Sequence, residues 1–286
     1  MSSLTYNTAL IVHTCDRYAF LYKGFEIFFN RYWQRDVHCN YYFVTEEKKV
    51  DVAGFTNLLS GKGQWSDRLA RVLRGQIKEK YILYFQEDMW LEKKTNANFF
   101  NKLFEKTAGE NWQLVKLHSS PIYITKPTDI FIDGFNVAAV DNTSGYLMSH
   151  QITLWNKQFL LQQLWPNEHP WRNERRASKR LQKINPKIFH VDYFAENGNP
   201  PINNNKNPIG RSGYLAVSLN ALLNGNILFF IKQLENGSPA EIQYGKDLQL
   251  HYDNSLTHDG LPKPRKVDIF KRIKLLFLKL YKKINQ

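Results

Sequence analysis

The sequence predicts an α/β protein with a mostly parallel sheet and helices on both faces. Three observations predict it: short apolar runs rich in β-formers, amphipathic stretches alternating with those runs, and a chain long enough to bury a large core. Its 286 residues are 43% hydrophobic and 14% aromatic. That content excludes global disorder and suits one large domain or two small ones.

Thr8 to Thr14 (TALIVHT) reads as a short buried strand, continuous and apolar. Tyr18 to Trp33 follows with helical spacing, placing Phe20, Leu21, Phe25, Phe28, Phe29 and Trp33 on one broad face. His38 to Thr45 is strand-like, Gln64 to Lys78 is a second amphipathic helix, and Tyr81 to Phe85 (YILYF) is a third buried strand. Strand, helix, strand, helix, strand is the pattern of a parallel sheet. Trp112 to His118 adds a strand and Asn156 to Leu164 a helix. Glu196 to Arg211, containing GNPPINNNKNPIG, is too rich in Asn, Pro and Gly for regular structure and reads as an active-site loop or an insertion. After Ser238 the periodicity fades until the tail.

In an open α/β sheet, ligands bind outside the carboxyl ends of the strands. The strand YILYF runs into Gln86-Glu87-Asp88, which puts acids at such an edge. Side chains two apart share a face, so Gln86 and Asp88 point to one ligand and Glu87 points away. A diphosphate held by Mg2+ or Mn2+ needs one or two hard oxygen ligands, with phosphate and water completing the shell. Thr14, Asp16 and Arg17 end the first strand at the same edge, where a hydroxyl and a carboxylate suit a nucleoside and an Arg suits a diphosphate. Turn and cap chemistry is an equally simple use of Asp16. His190, ending the strand-like KIFHV, is a further metal-ligand candidate. Two nucleotide motifs fail: Gly61-Lys62 lacks the earlier Gly and following Ser or Thr of a P-loop, and Ser66 stands where a dinucleotide fingerprint needs its third glycine.

In order along the chain stand HTCDRY, YFVTEE, WSDRL, YILYFQEDMWL, VKLHSSP, SHQITLWNKQFL and PWRNE. Together they resemble bacterial glycosyltransferases of the GT-A fold that build surface polysaccharides such as capsule or lipopolysaccharide O-antigen, over about the first two-thirds of the chain. The resemblance implies a GT-A-like Rossmann-type sheet, a nucleotide-sugar donor (most simply a UDP-sugar), and sugar transfer to a hydroxyl of a glycan. The acid cluster corresponds to the family's metal- and diphosphate-binding DxD element, with Asp88 on the metal and Gln86 and Glu87 on the nucleotide side. Gln86 departs from the pattern by standing at the first Asp. The helix opened by WSDRL helps enclose the donor, which makes Arg68 a phosphate contact. PWRNE brings Glu174 beneath the acceptor hydroxyl as the general base of an inverting reaction; its plain alternative is an ion pair with Arg175, Arg176 or Lys179. Gln151 and Trp155 belong either to the acceptor pocket or to the core.

Net charge is +13, and nine basic residues against the single acid Asp268 put +8 of it in residues 261–286. There Ile269, Ile273, Leu276, Phe277, Leu280 and Ile284 recur at helical spacing among lysines. A basic amphipathic helix of this kind lies on anionic membrane surfaces. The expected organisation is a glycosyltransferase domain over 1–260 and a membrane-associating tail over 261–286, suited to a lipid-linked acceptor. Met1 to Asn7 lacks a signal-peptide pattern and no apolar run nears the roughly 20 residues of a membrane span. The expected location is therefore cytoplasmic, peripheral on the inner face of the inner membrane, with Cys15 and Cys39 reduced. A nucleic-acid-binding protein needs basic and aromatic residues interleaved on a sheet or groove, and none is found outside the tail. A non-catalytic membrane scaffold is the other alternative, with Gln86 as its support.

Overall fold

The computed structural model describes residues 6–201 and 210–263. The chain forms two compact units, Met1–Ala216 and Val217–Gln286. The expected tail helix, from residue 264 onward, lies outside the described residues, as does most of the Asn/Pro-rich loop, residues 202–209.

The first unit starts with β1 (Thr8–His13), every residue of which is buried. A strand covered on both faces needs no polar alternation, which is why it reads as one apolar run. A 3-10 turn over Asp16–Leu21 then feeds α1 (Tyr22–Tyr32), splitting the single helix expected from Tyr18 to Trp33. Next come β2 (Asn40–Thr45), β3 (Thr56–Leu59), α2 (Trp65–Gly75) and β4 (Tyr81–Phe85). The short β5 (Met89–Leu91) and α3 (Ala97–Gly109) follow, the helix capped by Asn96, whose side chain accepts from the N–H groups of Asn98 and Phe99. Then come β6 (Leu114–His118), β7 (Thr125–Ile132), β8 (Phe135–Val140) and β9 (Thr153–Asn156). The unit ends with α4 (Lys157–Gln163), α5 (Pro170–Ile184), β10 (Ile188–Glu196) and β11 (Ser212–Ala216).

The sheet runs β3-β2-β1-β4-β9-β6-β10-β11-β5, with β8 pairing off β10 and β7 off β8. β3, β2, β1 and β4 are mutually parallel, and β10 is parallel to both β6 and β11. The reversed strands are β9, wedged between β4 and β6, then β8, and β5 at the edge. The expected mostly parallel sheet with flanking helices is therefore the architecture found.

One step in this order shapes the site. From β4 to β5 the sheet crosses five strand-to-strand steps, about 24 Å if flat at ~4.8 Å per step. Only Gln86, Glu87 and Asp88 join the two strands, and that stretch of chain reaches about 14 Å at most. The sheet between them must curl, and the acid-bearing turn closes its mouth.

The second unit holds a hairpin of β12 (Ser218–Leu219) and β13 (Leu222–Leu223), then α6 (Ile227–Leu234) and α7 (Pro239–Asp253). Asn220 and Ala221 turn the hairpin at φ 55° and 62°, the left-handed pair that matches strand twist. α7 lies in the stretch after Ser238 where the sequence shows no clear periodicity. Its weak amphipathicity hid it, while Ser238 and Glu241 form a reciprocal capping box. Among the described residues no helix is long and apolar enough to cross a membrane.

Candidate active site at the mouth of the curled sheet

The turn after β4 is held from beneath. The Trp90 indole N–H donates to the main-chain carbonyl of Glu87 at 2.9 Å, and the Met89 N–H to that of Gln86 at 3.2 Å. Trp90 stacks on Phe28 and fills the space left by Gly24 of α1, where an added Cβ would lie 2.0 Å from the indole. Glu87 is buried and Asp88 and Gln86 half-buried. Burial, and then the neighbouring Asp88, raise the Glu87 carboxyl well above its usual range; burial pushes Asp88 up to about 6. Among the described residues Asp88 has no ion-pair partner. A half-buried acid without an ion-pair partner among the described residues suits a hard metal ion.

At the end of β1 the residues expected to meet the nucleoside are largely occupied. The Thr14 hydroxyl, 2% exposed, donates to the Val44 carbonyl at 2.9 Å and lies 2.7 Å from the Tyr22 hydroxyl. Asp16 accepts the N–H groups of Glu46, Glu47 and Lys48 at 2.9, 2.9 and 2.8 Å. Its own N–H donates to Glu46 Oε2 at 2.9 Å. Asp16 thus braces the turn after β2, the cap chemistry weighed against its nucleoside role. Arg68 is buried: Nη1 donates to the Thr14 carbonyl at 2.9 Å, and Nε lies 3.4 Å from Glu46. Its fixed charge opposes the upward shift of Glu87. Arg17 is exposed at the same edge.

Glu174 sits in the first turns of α5. Its plain alternative, an ion pair with Arg175, Arg176 or Lys179, is not among the described contacts; Oε1 accepts the His150 N–H at 2.9 Å. Burial raises its carboxyl, while the His150 N–H and the charge of Lys116 hold it back. Lys116, buried within β6, donates to the Tyr146 carbonyl at 3.0 Å and the Ser149 hydroxyl at 2.9 Å; burial pushes it down to about 7. Glu196 ends β10 in register with Tyr214 of β11, and burial followed by Glu174 pushes it up to about 7. The Tyr214 hydroxyl donates to the Gln151 side chain at 2.8 Å. Burial raises Tyr214, and then the charges of Glu196, Tyr123 and Asp88. Asp88 and Glu196 therefore both act on Tyr214, and Glu174 acts on Glu196.

His190 does not join this group. Its ring is buried with Nε2 2.9 Å from the His118 carbonyl, and its charged neighbours are Asp192, Lys116 and Arg211. Among the described residues no three His, Cys, Asp or Glu side chains are grouped to hold a metal. Trp155 lies in the core at 1% exposure, whereas Gln151 meets Tyr214. Cys15 and Cys39 are both free. Glu196, Lys116 and His13 also lie buried or half-buried in this unit, and the sequence motifs assign them no role. Glu196 ends a strand as the acid turn does, and Lys116 interrupts the apolar run LVKLH, so both left a signal. His13 left none: it is 2% exposed beside Trp65 and Tyr84, with both ring nitrogens lacking a hydrogen bond among the described residues.

No family model matches the chain, and no curated protein does either. Among solved structures, it is similar to S. aureus TarS residues 1–349 at 11% identity and a TM-score of 0.45, over 87% of this chain and 71% of that one. The same TarS fragment in complex with UDP gives 9% identity and 0.46, over 86% and 71%. The mannosyltransferase PcManGT from Pyrobaculum calidifontis, in complex with GDP-Man and Mn2+, gives 8% and 0.46, over 82% of this chain and 62% of that one. What the site can do follows from its own residues.

Proposed function

We propose that this chain is a metal-dependent glycosyltransferase with a GT-A-like architecture. It moves a sugar from a nucleotide-sugar, most simply a UDP-sugar, to a hydroxyl of a glycan in surface-polysaccharide synthesis. One observation carries this reading: the turn Gln86-Glu87-Asp88 closes the mouth of the curled sheet with an acid that has no cation partner among the described residues. Asp88 would hold Mg2+ or Mn2+, which would supply charge neutralisation for a diphosphate. Gln86 would offer its amide to the ribose, and exposed Arg17 its guanidinium to phosphate. Asp16, Thr14, Arg68 and Glu87 brace this edge of the sheet more than they touch the ligand, since their polar groups are buried or engaged.

Glu174 is the general base. The acceptor oxygen bonds to the anomeric carbon as the bond from that carbon to the diphosphate oxygen breaks, and the acceptor proton passes to the Glu174 carboxylate. Attack opposite the leaving group inverts the anomeric centre. A carboxyl raised by burial is a stronger base than a solvated one. The basic tail holds the enzyme on the cytoplasmic face of an anionic membrane, next to a lipid-linked acceptor; loss of residues 262–286 releases it from anionic liposomes.

The decisive experiment is a thermal-shift panel of UDP- and GDP-sugars with and without Mn2+. One donor raises Tm only with the metal, and Asp88→Asn removes both that shift and turnover while the far-UV spectrum stays unchanged. Turnover retained by Asp88→Asn overturns the metal role. A chain that no nucleotide-sugar stabilises is not this enzyme.

A further inference from the structure

The helix that carries Glu174 has a second face. Arg172, Arg175, Arg176 and Lys179 stand at spacings of three and four residues, so they form one stripe along α5. All four are exposed. Like charges at these spacings repel and destabilise a helix. Three exposed lysines elsewhere meet acids: Lys62 with Glu47, Lys102 with Asp133, Lys126 with Asp141. On this stripe, among the described residues, only Arg176 meets an acid, Glu168 at a long 3.8 Å, and Glu168 already binds Arg180 at 3.0 Å.

The stripe borders a surface groove. It forms one wall of a groove of about 530 Å3 whose other wall is the Ser144–Tyr146 loop, and no acid lines the groove. Tyr146 is held at φ 50° with its side chain 48% exposed. A bulky residue in the left-handed region is strained and persists only when its surroundings fix it. Here the buried Lys116 amine fixes it, by donating to the Tyr146 carbonyl at 3.0 Å. An exposed aromatic ring opposite a row of guanidinium groups suits a ligand with a sugar face and negative charge, since planar rings pack on sugars and Arg binds phosphate in a forked geometry.

We propose that this groove is the subsite for a phosphate-bearing segment of the acceptor glycan. Arg172, Arg175, Arg176 and Lys179 take the phosphates, and the Tyr146 ring takes a neighbouring sugar. The inference rests on the reading of Glu174 as the point of transfer: the groove starts within one helical turn of it, so a chain lying along α5 delivers its end to that carboxylate.

The test is calorimetric titration of the full chain, without nucleotide or metal, using a phosphorylated dextran oligosaccharide and its unphosphorylated counterpart. Wild type binds the phosphorylated form at least tenfold more tightly. The variant R172Q/R175Q/K179Q loses that preference, with Kd for the phosphorylated form rising tenfold or more. A charge-matched variant away from the groove, K78Q/K94Q/K246Q, keeps the preference. Tyr146→Asn, which tolerates the left-handed backbone, weakens both forms and reports independently should the triple variant fail to fold. The proposal is overturned if wild type shows no preference, if the triple variant binds like wild type, or if the control loses as much. Because no donor is present, a failure here is distinct from a failure of the glycosyltransferase reading, which the nucleotide-sugar panel reports.

Discussion

The Trp90 indole N–H donates to the main-chain carbonyl of Glu87 at 2.9 Å, tying the acid-bearing turn to the aromatic core beneath α1. Trp90→Phe keeps most of the packing but leaves that carbonyl unpaired, which costs about 1–3 kcal/mol in a buried setting. Gly24→Ala drives a methyl group into the indole, and overpacking of this kind costs roughly 1–3 kcal/mol. Both variants show a lower urea midpoint and a larger fall in turnover than in fold content. A Gly24→Ala protein as stable and active as wild type refutes the tie.

Asp16 gives its two carboxylate oxygens to three consecutive N–H groups after β2. Asp16→Ala orphans them, and loss of such a cap costs about 0.5–2 kcal/mol. Amide exchange at Glu46 to Lys48 speeds up, and nucleotide affinity falls in step with that loosening. Full nucleotide affinity alongside fast exchange would separate the turn from the site.

Glu174→Gln keeps an oxygen to accept the His150 N–H but cannot accept a proton. Turnover drops by roughly 10²–10⁴-fold, the usual contribution of a general base, while donor binding and Tm stay close to wild type. A tenfold loss of donor affinity would instead place Glu174 on the nucleotide side.

Glu196 sets a pH dependence of stability. Its folded-state carboxyl titrates near 7, against 4.5 for the ordinary group. The folded protein therefore holds this proton more tightly than the unfolded chain. Stability from it is complete below pH 4.5 and is lost as pH rises through 7, with a slope of at most about 1.4 kcal/mol per pH unit. Glu196→Gln flattens the profile between pH 5 and 7.5, as read from urea midpoints at the two ends. An unchanged slope means that Glu196 is solvated as an ordinary carboxylate.

The strands were readable in the sequence because burial on both faces leaves a simple mark: TALIVH and YILYF are apolar at every position, and both are fully buried strands. The acid turn was readable for the same reason, since an apolar strand that stops at two acids can only stop at an edge. Helix starts carried weaker marks. Asn96 and the Ser238–Glu241 box cap helices that periodicity alone did not reveal. Long-range pairing carries no local mark at all. That β9 enters the sheet reversed between β4 and β6, or that β5 closes on β11, depends on which faces find partners across the fold.

The sequence by itself determined the class of the fold, the strand that bears Asp88, and the amphipathic helices that cover the sheet, because each is written in the order of apolar and polar residues within a few turns of chain. Only the tertiary structure decided which polar groups near Asp88 remain available. It spent Thr14, Asp16 and Arg68 on bracing β1 against β2, and brought Glu196 and Glu174 within electrostatic reach of each other. Whether a hydroxyl, a carboxylate or a guanidinium is free depends on neighbours tens of residues away, and sequence order does not encode their distances.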